Sequence, residues 1–208
     1  MPRSRTRRES NDAFTDLLFN ALLGFVFMFA VAVIFMNPIA KTGEIETKAE
    51  YLITVTWPDG NPSDVDTWTQ DPAGNLTWYA AKESGLMHLD RDDTGTTRDV
   101  ITINGKTVVN PLNQEILSIR GIVPGEWTVN VQMYAYDPTG LEGAGGANPP
   151  IPVKIKLEKV NPSVRVLFYD TVELRNQGDE KTAVRFTIQA DGEITDINQL
   201  PKKLYGNT

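Results

Sequence analysis

Asp12, Asp16 and Asn20 recur at four-residue spacing just before and inside the longest apolar run of the chain. On a helix, positions i, i+4 and i+8 lie along one side, so these three form a polar stripe. A carboxylate at the edge of a bilayer is costly to desolvate and can exchange ions where a partner supplies a wet path. Asp16, one residue before the run, is therefore a candidate ion-translocating site, with Asn20 and Asp12 in support. A plainer reading has Asp12 and Asp16 complementing the positive end of the helix from the headgroup region, worth about 0.3–1 kcal/mol. Asn20 and Gly24 favour the first reading, because an amide in lipid needs a polar partner and a glycine lets a second helix come close.

A second group of acids lies in DVDTWTQDPAGN (64–75) and HLDRDDTG (88–95). Several converging hard oxygens are what Ca²⁺ requires, which makes Asp64, Asp66, Asp71, Asp90 and Asp92, with Asp93 beside them, candidate ligands. The spacing is not that of an EF-hand, and Asp also opens turns by bonding its own backbone, so DPAGN and DRDDTG equally read as turns. His88 is the single histidine and there is no cysteine. Multi-histidine and thiolate metal sites and disulfides are thereby excluded, and His88 beside Asp90 reads as structural. With neither an assembled acid-base set nor a phosphate-binding glycine motif, the chain reads as a non-enzyme. Trp57, Trp68, Trp78 and Trp127 are strand-core residues or, alternatively, a sugar-stacking platform.

These groups need two different settings. Residues 17–36 (LLFNALLGFVFMFAVAVIFM) are apolar except for Asn20 and Gly24. Twenty residues at ~1.5 Å each cross the ~30 Å hydrocarbon layer. Ser10, Asn11 and Asp12 offer N-cap side chains and Asn37-Pro38 a stop, so a transmembrane helix is expected over 11–37. A secretory signal would have a shorter apolar core. Arg3, Arg5, Arg7 and Arg8 against Glu9 form a basic tail over 1–10, and the rest of the chain is more acidic than the net −7. Arginines ahead of a span hold it in the cytoplasm, which places the C-terminal part of the chain on the periplasmic side of the inner membrane. The acidic remainder is a poor nucleic-acid binder.

Asp16 followed by LLFNALLGFVFMF, with FMNP near the exit, resembles the span of the ExbD, TolR and flagellar MotB group, the small subunits of ion-driven motors. The resemblance covers roughly residues 11–38. It implies a homodimer inside a ring of a multi-span MotA-, ExbB- or TolQ-like partner, with Asp16 taking up and releasing H⁺ or Na⁺ as the ring turns. Thr15 stands where ExbD and TolR usually carry proline, and neither their small αβ domain nor a peptidoglycan-binding signature is found.

Residues 38–50 are polar and read as a linker or neck. From residue 51 the pattern is β: YLITVTW, EWTVNVQMYAY, PVKIKLEKV, SVRVLFYDTVEL and KTAVRFTIQA alternate and are rich in β-branched and aromatic residues. Turns fall at Pro58-Asp59-Gly60, residues 71–75, Pro124-Gly125 and Asp191-Gly192, and 139–150 (TGLEGAGGANPP) reads as a flexible loop. Seven to nine strands over 51–208 point to an all-β sandwich, immunoglobulin- or jelly-roll-like. If the span were only an anchor, this domain would instead be a tethered binding module for a glycan, Ca²⁺ or an envelope or cell-wall component.

Overall fold

The computed structural model describes residues 5–36, 48–97, 99–139, 141 and 148–206. The chain divides into two units, residues 1–46 and 47–208. The described residues of the first form one helix, α1 (Arg5–Met36), which contains one stretch long and apolar enough to cross a membrane, Ala13–Val33. The helix begins six residues before the expected start, so Ser10, Asn11 and Asp12 lie within it and do not cap it. Arg, Glu and Ser carry no strong penalty in a helix interior, and the long apolar run propagates the helix back through them. The expected stop at Asn37-Pro38 and the linker up to residue 47 lie outside the described residues, as does most of the loop at 139–150.

The second unit is all β. Its strands in chain order are β1 (Tyr51–Trp57), β2 (Asp64–Gln70), β3 (Leu76–Thr77), β4 (Glu83–Ser84), β5 (Met87–Arg91), β6 (Val100–Ile103), β7 (Lys106–Val109), β8 (Asn113–Ile119), β9 (Gly125–Ala135), β10 (Ile151–Lys159), β11 (Arg165–Leu174), β12 (Glu180–Ile188) and β13 (Ile194–Asn198). Thirteen strands among the described residues exceed the seven to nine expected, because β3 and β4 have two residues each and β6 and β7 four each, too few for a clear periodic pattern. A six-stranded sheet runs β11-β10-β1-β8-β5-β4 and a five-stranded one β13-β12-β9-β2-β3, while β6 and β7 pair with each other alone. Every pairing between these strands is antiparallel.

Alternation builds the core. Along β1, Tyr51, Ile53, Val55 and Trp57 are buried, and along β10 so are Ile151, Val153, Ile155 and Leu157. They meet Trp127, Val129, Val131 and Met133 of β9 and Val184, Phe186 and Ile188 of β12 in one apolar layer between the sheets. Trp127 and Phe186 stack there with ring centroids 6.3 Å apart.

The antiparallel hairpin β6-β7 turns at Asn104 and Gly105, both at positive φ (51° and 76°), the geometry a two-residue turn requires. All eight of its strand residues are exposed.

Candidate functional site

On α1, Asp16 and Asn20 are exposed, as is every residue from Ala13 to Ala30. Asn20, Leu23, Gly24 and Phe27, spaced i, i+3, i+4 and i+7, line a shallow groove along the helix. A Cβ at Gly24 would meet nothing within 4 Å, so no packing inside the described chain calls for glycine there. The backbone of Asp12 belongs to the same helix, and its side chain is outside the described ones.

The acids of the β domain separate into three settings. Asp71 closes its own turn, in keeping with the turn reading of DPAGN: Oδ1 accepts from the Ala73 and Asn75 amides at 2.9 and 2.8 Å and Oδ2 from Asn75 Nδ2 at 2.7 Å. Asp90 belongs to a surface network, accepting from Arg120 Nη2 at 2.9 Å and lying 2.6 Å from His88 Nδ1, with Glu83 2.8 Å from the other ring nitrogen. Burial would raise the Asp90 pKa, but its hydrogen bonds with Ser118, His88 and Arg120 outweigh that and hold it below the usual carboxylate value. Asp93 is tied to Arg91 Nη2 at 2.7 Å and to the Gln114 amide at 3.2 Å. These satisfied carboxylates do not join the expected cation site.

Asp66 and Asp92 do converge, and with a residue the sequence pattern did not single out, Glu115. One oxygen from each lies within 4.8 Å of the others. Asp66 and Glu115 are buried at 3% and 1% exposure. Three elements bring them together. Strand β2 pairs with the short β3 only at Thr69 and Gln70, which leaves its edge open at Asp64 to Trp68. Glu115, on β8 of the other sheet, reaches that edge and accepts the Thr67 amide on Oε2 at 2.6 Å. The segment after β5 carries Asp92, whose Oδ2 is 2.8 Å from Lys82 Nζ.

Gly95 fixes that segment. Its φ is +66°, and a Cβ would come 2.5 Å from the Pro62 carbonyl oxygen, so only glycine lets the loop lie against residues 62–63. The ground beneath it is held in turn by Trp57 Nε1 donating to the Ser63 carbonyl and Asn113 Nδ2 donating to the Pro58 and Asn61 carbonyls.

The electrostatics are those of uncompensated burial. Among the described residues, Asp64 Oδ1, Asp66 Oδ2 and Glu115 Oε1 are buried without a hydrogen-bond partner. Desolvation, with the charges of Asp64 and Asp92 added, pushes Asp66 up to about 8. Burial, then Asp92 and Asp93, pushes Asp64 up to about 6. Burial raises Glu115 well above the usual value, against the lowering effect of its Thr67 hydrogen bonds, and Asp66 and Asp92 raise it further.

Beside this cluster lies a ring cluster. Trp57, Trp68 and Trp127 are buried, as the core reading expects. Trp78 is half-buried and stacks on Trp68 at 4.6 Å; Tyr205 meets Trp68 edge-on at 5.6 Å, and Tyr79 bridges Trp78 and Tyr134. The three tyrosines are exposed.

Comparison with family models, curated proteins and solved structures gave no match.

Proposed function

We propose that this chain is the small, single-span subunit of an ion-driven membrane motor, with Asp16 as its ion-carrying group and the β domain on the periplasmic side of the inner membrane. The observation that carries the reading is the polar face of α1. An acid stands at the edge of the apolar stretch, an amide one turn inside it, and one turn further a glycine at which a Cβ would meet nothing within 4 Å among the described residues. Polar side chains within a span call for a protein or water-lined surrounding, and a small residue in the same row admits a neighbouring helix. Two copies inside a ring of multi-span subunits meet both demands. Facing carboxylates in one pore would load alternately, since like charges discourage simultaneous ionisation.

Gentle detergent extraction of the tagged chain with its untagged cellular partners, followed by native mass measurement, tests this. Two copies with an excess of one multi-span protein are expected. A lone chain or a simple dimer would sink the motor reading.

That second outcome would favour a membrane-tethered binding module. The exposed tyrosines around Trp78 support it, since ring faces at a surface suit the apolar faces of sugars or of an envelope protein.

A further inference from the structure

We infer that the β domain binds one calcium ion between its two sheets, held by Asp66, Asp92 and Glu115. Proximity of acids alone would not carry this, because surface acids gather without a ligand. What carries it is that Asp66 and Glu115 are buried, that Asp66 Oδ2 and Glu115 Oε1 have no protein donor among the described residues, and that one oxygen of each acid lies within 4.8 Å of the other and of one from Asp92. Buried carboxylate oxygens are otherwise satisfied, because an unpaired one forfeits its hydration with nothing in return.

Donor chemistry selects the ion. All the ligands are carboxylate oxygens, and the single histidine is engaged by Glu83 and Asp90, which disfavours zinc and copper. Magnesium keeps most of its water and takes one or two carboxylates, whereas calcium accepts several at 2.3–2.6 Å in flexible geometry. Lys82 pairs with Asp92, while Asp66 Oδ2 and Glu115 Oε1 are left without a donor among the described residues, a place that a divalent cation fills. Asp92 is the way in: its side chain is 18% exposed and also lines a polar cavity of about 210 Å³ with Lys82, Thr94, Asp99 and Asn110. Bound there, the ion ties the open edge of β2 to β8 and to the segment after β5, joining the two sheets where the backbone ladder does not. This inference is independent of the motor reading.

The test uses the full chain in detergent, stripped with a chelator and titrated with CaCl₂ alone by calorimetry and thermal unfolding. One ion per chain is expected, and at 1 mM a rise in the unfolding midpoint of roughly 5 °C or more. Glu115→Gln and Asp92→Asn should each weaken uptake at least about tenfold, while Asp71→Asn and Asp90→Asn stay within about twofold. In chelator, Glu115→Gln should melt no lower than the parent, since the amide oxygen keeps the Thr67 bond and one repelled charge is gone. Asp92→Asn, at a partly exposed position, gives the same answer should Glu115→Gln fail to fold. Absence of uptake at 1 mM, uptake untouched by either substitution, or equal uptake of MgCl₂ would overturn the assignment.

Discussion

Asp66 sits where a carboxylate is least able to keep its charge: buried, beside two other acids, and with one oxygen bonded to nothing among the described residues. In metal-free protein this makes stability depend on pH in a definite direction. The unfolded chain releases these protons near pH 4, whereas the folded one holds them until about 6 at Asp64 and about 8 at Asp66. Below about pH 4 both states are protonated and the groups cost nothing; as pH rises to about 8 the folded state is penalised for retaining them and stability falls. Thermal midpoints of the full chain in chelator at pH 5, 6, 7 and 8 should therefore decline, and the decline should be shallower in Asp66→Asn; identical profiles would contradict it. At the other residue of interest, Asp16→Asn should leave expression and membrane insertion intact but abolish ion flux through the complex reconstituted with its partner. Undiminished flux would make α1 an anchor.

Two connections between elements show how the acids are brought to one place. The segment after β5 depends on Gly95, at positive φ and pressed against Pro62. Gly95→Ala should cost about 1–3 kcal/mol, from backbone strain and the clash with the Pro62 carbonyl. The midpoint should then fall by roughly 2–4 °C per kcal/mol, with weakened calcium uptake because Asp92 moves with the loop. An unchanged melt would show that the segment is not so held. At the far end, Glu180 Oε1 accepts from Asn130 Nδ2 and from the Leu204 and Tyr205 amides at 2.6, 2.7 and 2.9 Å, fastening the C-terminal segment over β9 and β12. This explains why β9 is buried on both faces from Trp127 to Met133, although its polar Thr128, Asn130 and Gln132 would suit an exposed face. Glu180→Ala should cost about 1–3 kcal/mol and expose Lys202 and Lys203 to trypsin well before the sandwich unfolds. Unaltered cleavage kinetics would show that other contacts hold the segment.

Across the molecule, the buried apolar layer of the sandwich is drawn, among the described residues, from residues 51–188, with Ile194 packed against it. A fragment spanning 47–208 should thus fold without α1 and melt cooperatively within a few degrees of the full chain; loss of the cooperative transition would mean that the span contributes to the fold. The span and the long strands are legible in the sequence because their signals are local: a twenty-residue run apolar but for Asn20 and Gly24 is long enough to fill a bilayer whatever surrounds it, and YLITVTW presents one apolar face whatever it pairs with. The short strands and the early start of α1 are not, since two residues hold no period and a helix can run back through residues that also make caps. The acids show the division most clearly. Residue types along the chain suffice to show that oxygen-bearing side chains gather near residues 64–75 and 88–95. Folding then spends Asp71 on a turn and Asp90 on a surface network, and brings Asp66 and Asp92 to Glu115. Glu115 lies in β8 between Gln114 and Ile116 with nothing local to mark it, and it joins the site through the packing of one sheet on the other, a contact across 48 positions of sequence that no spacing rule records.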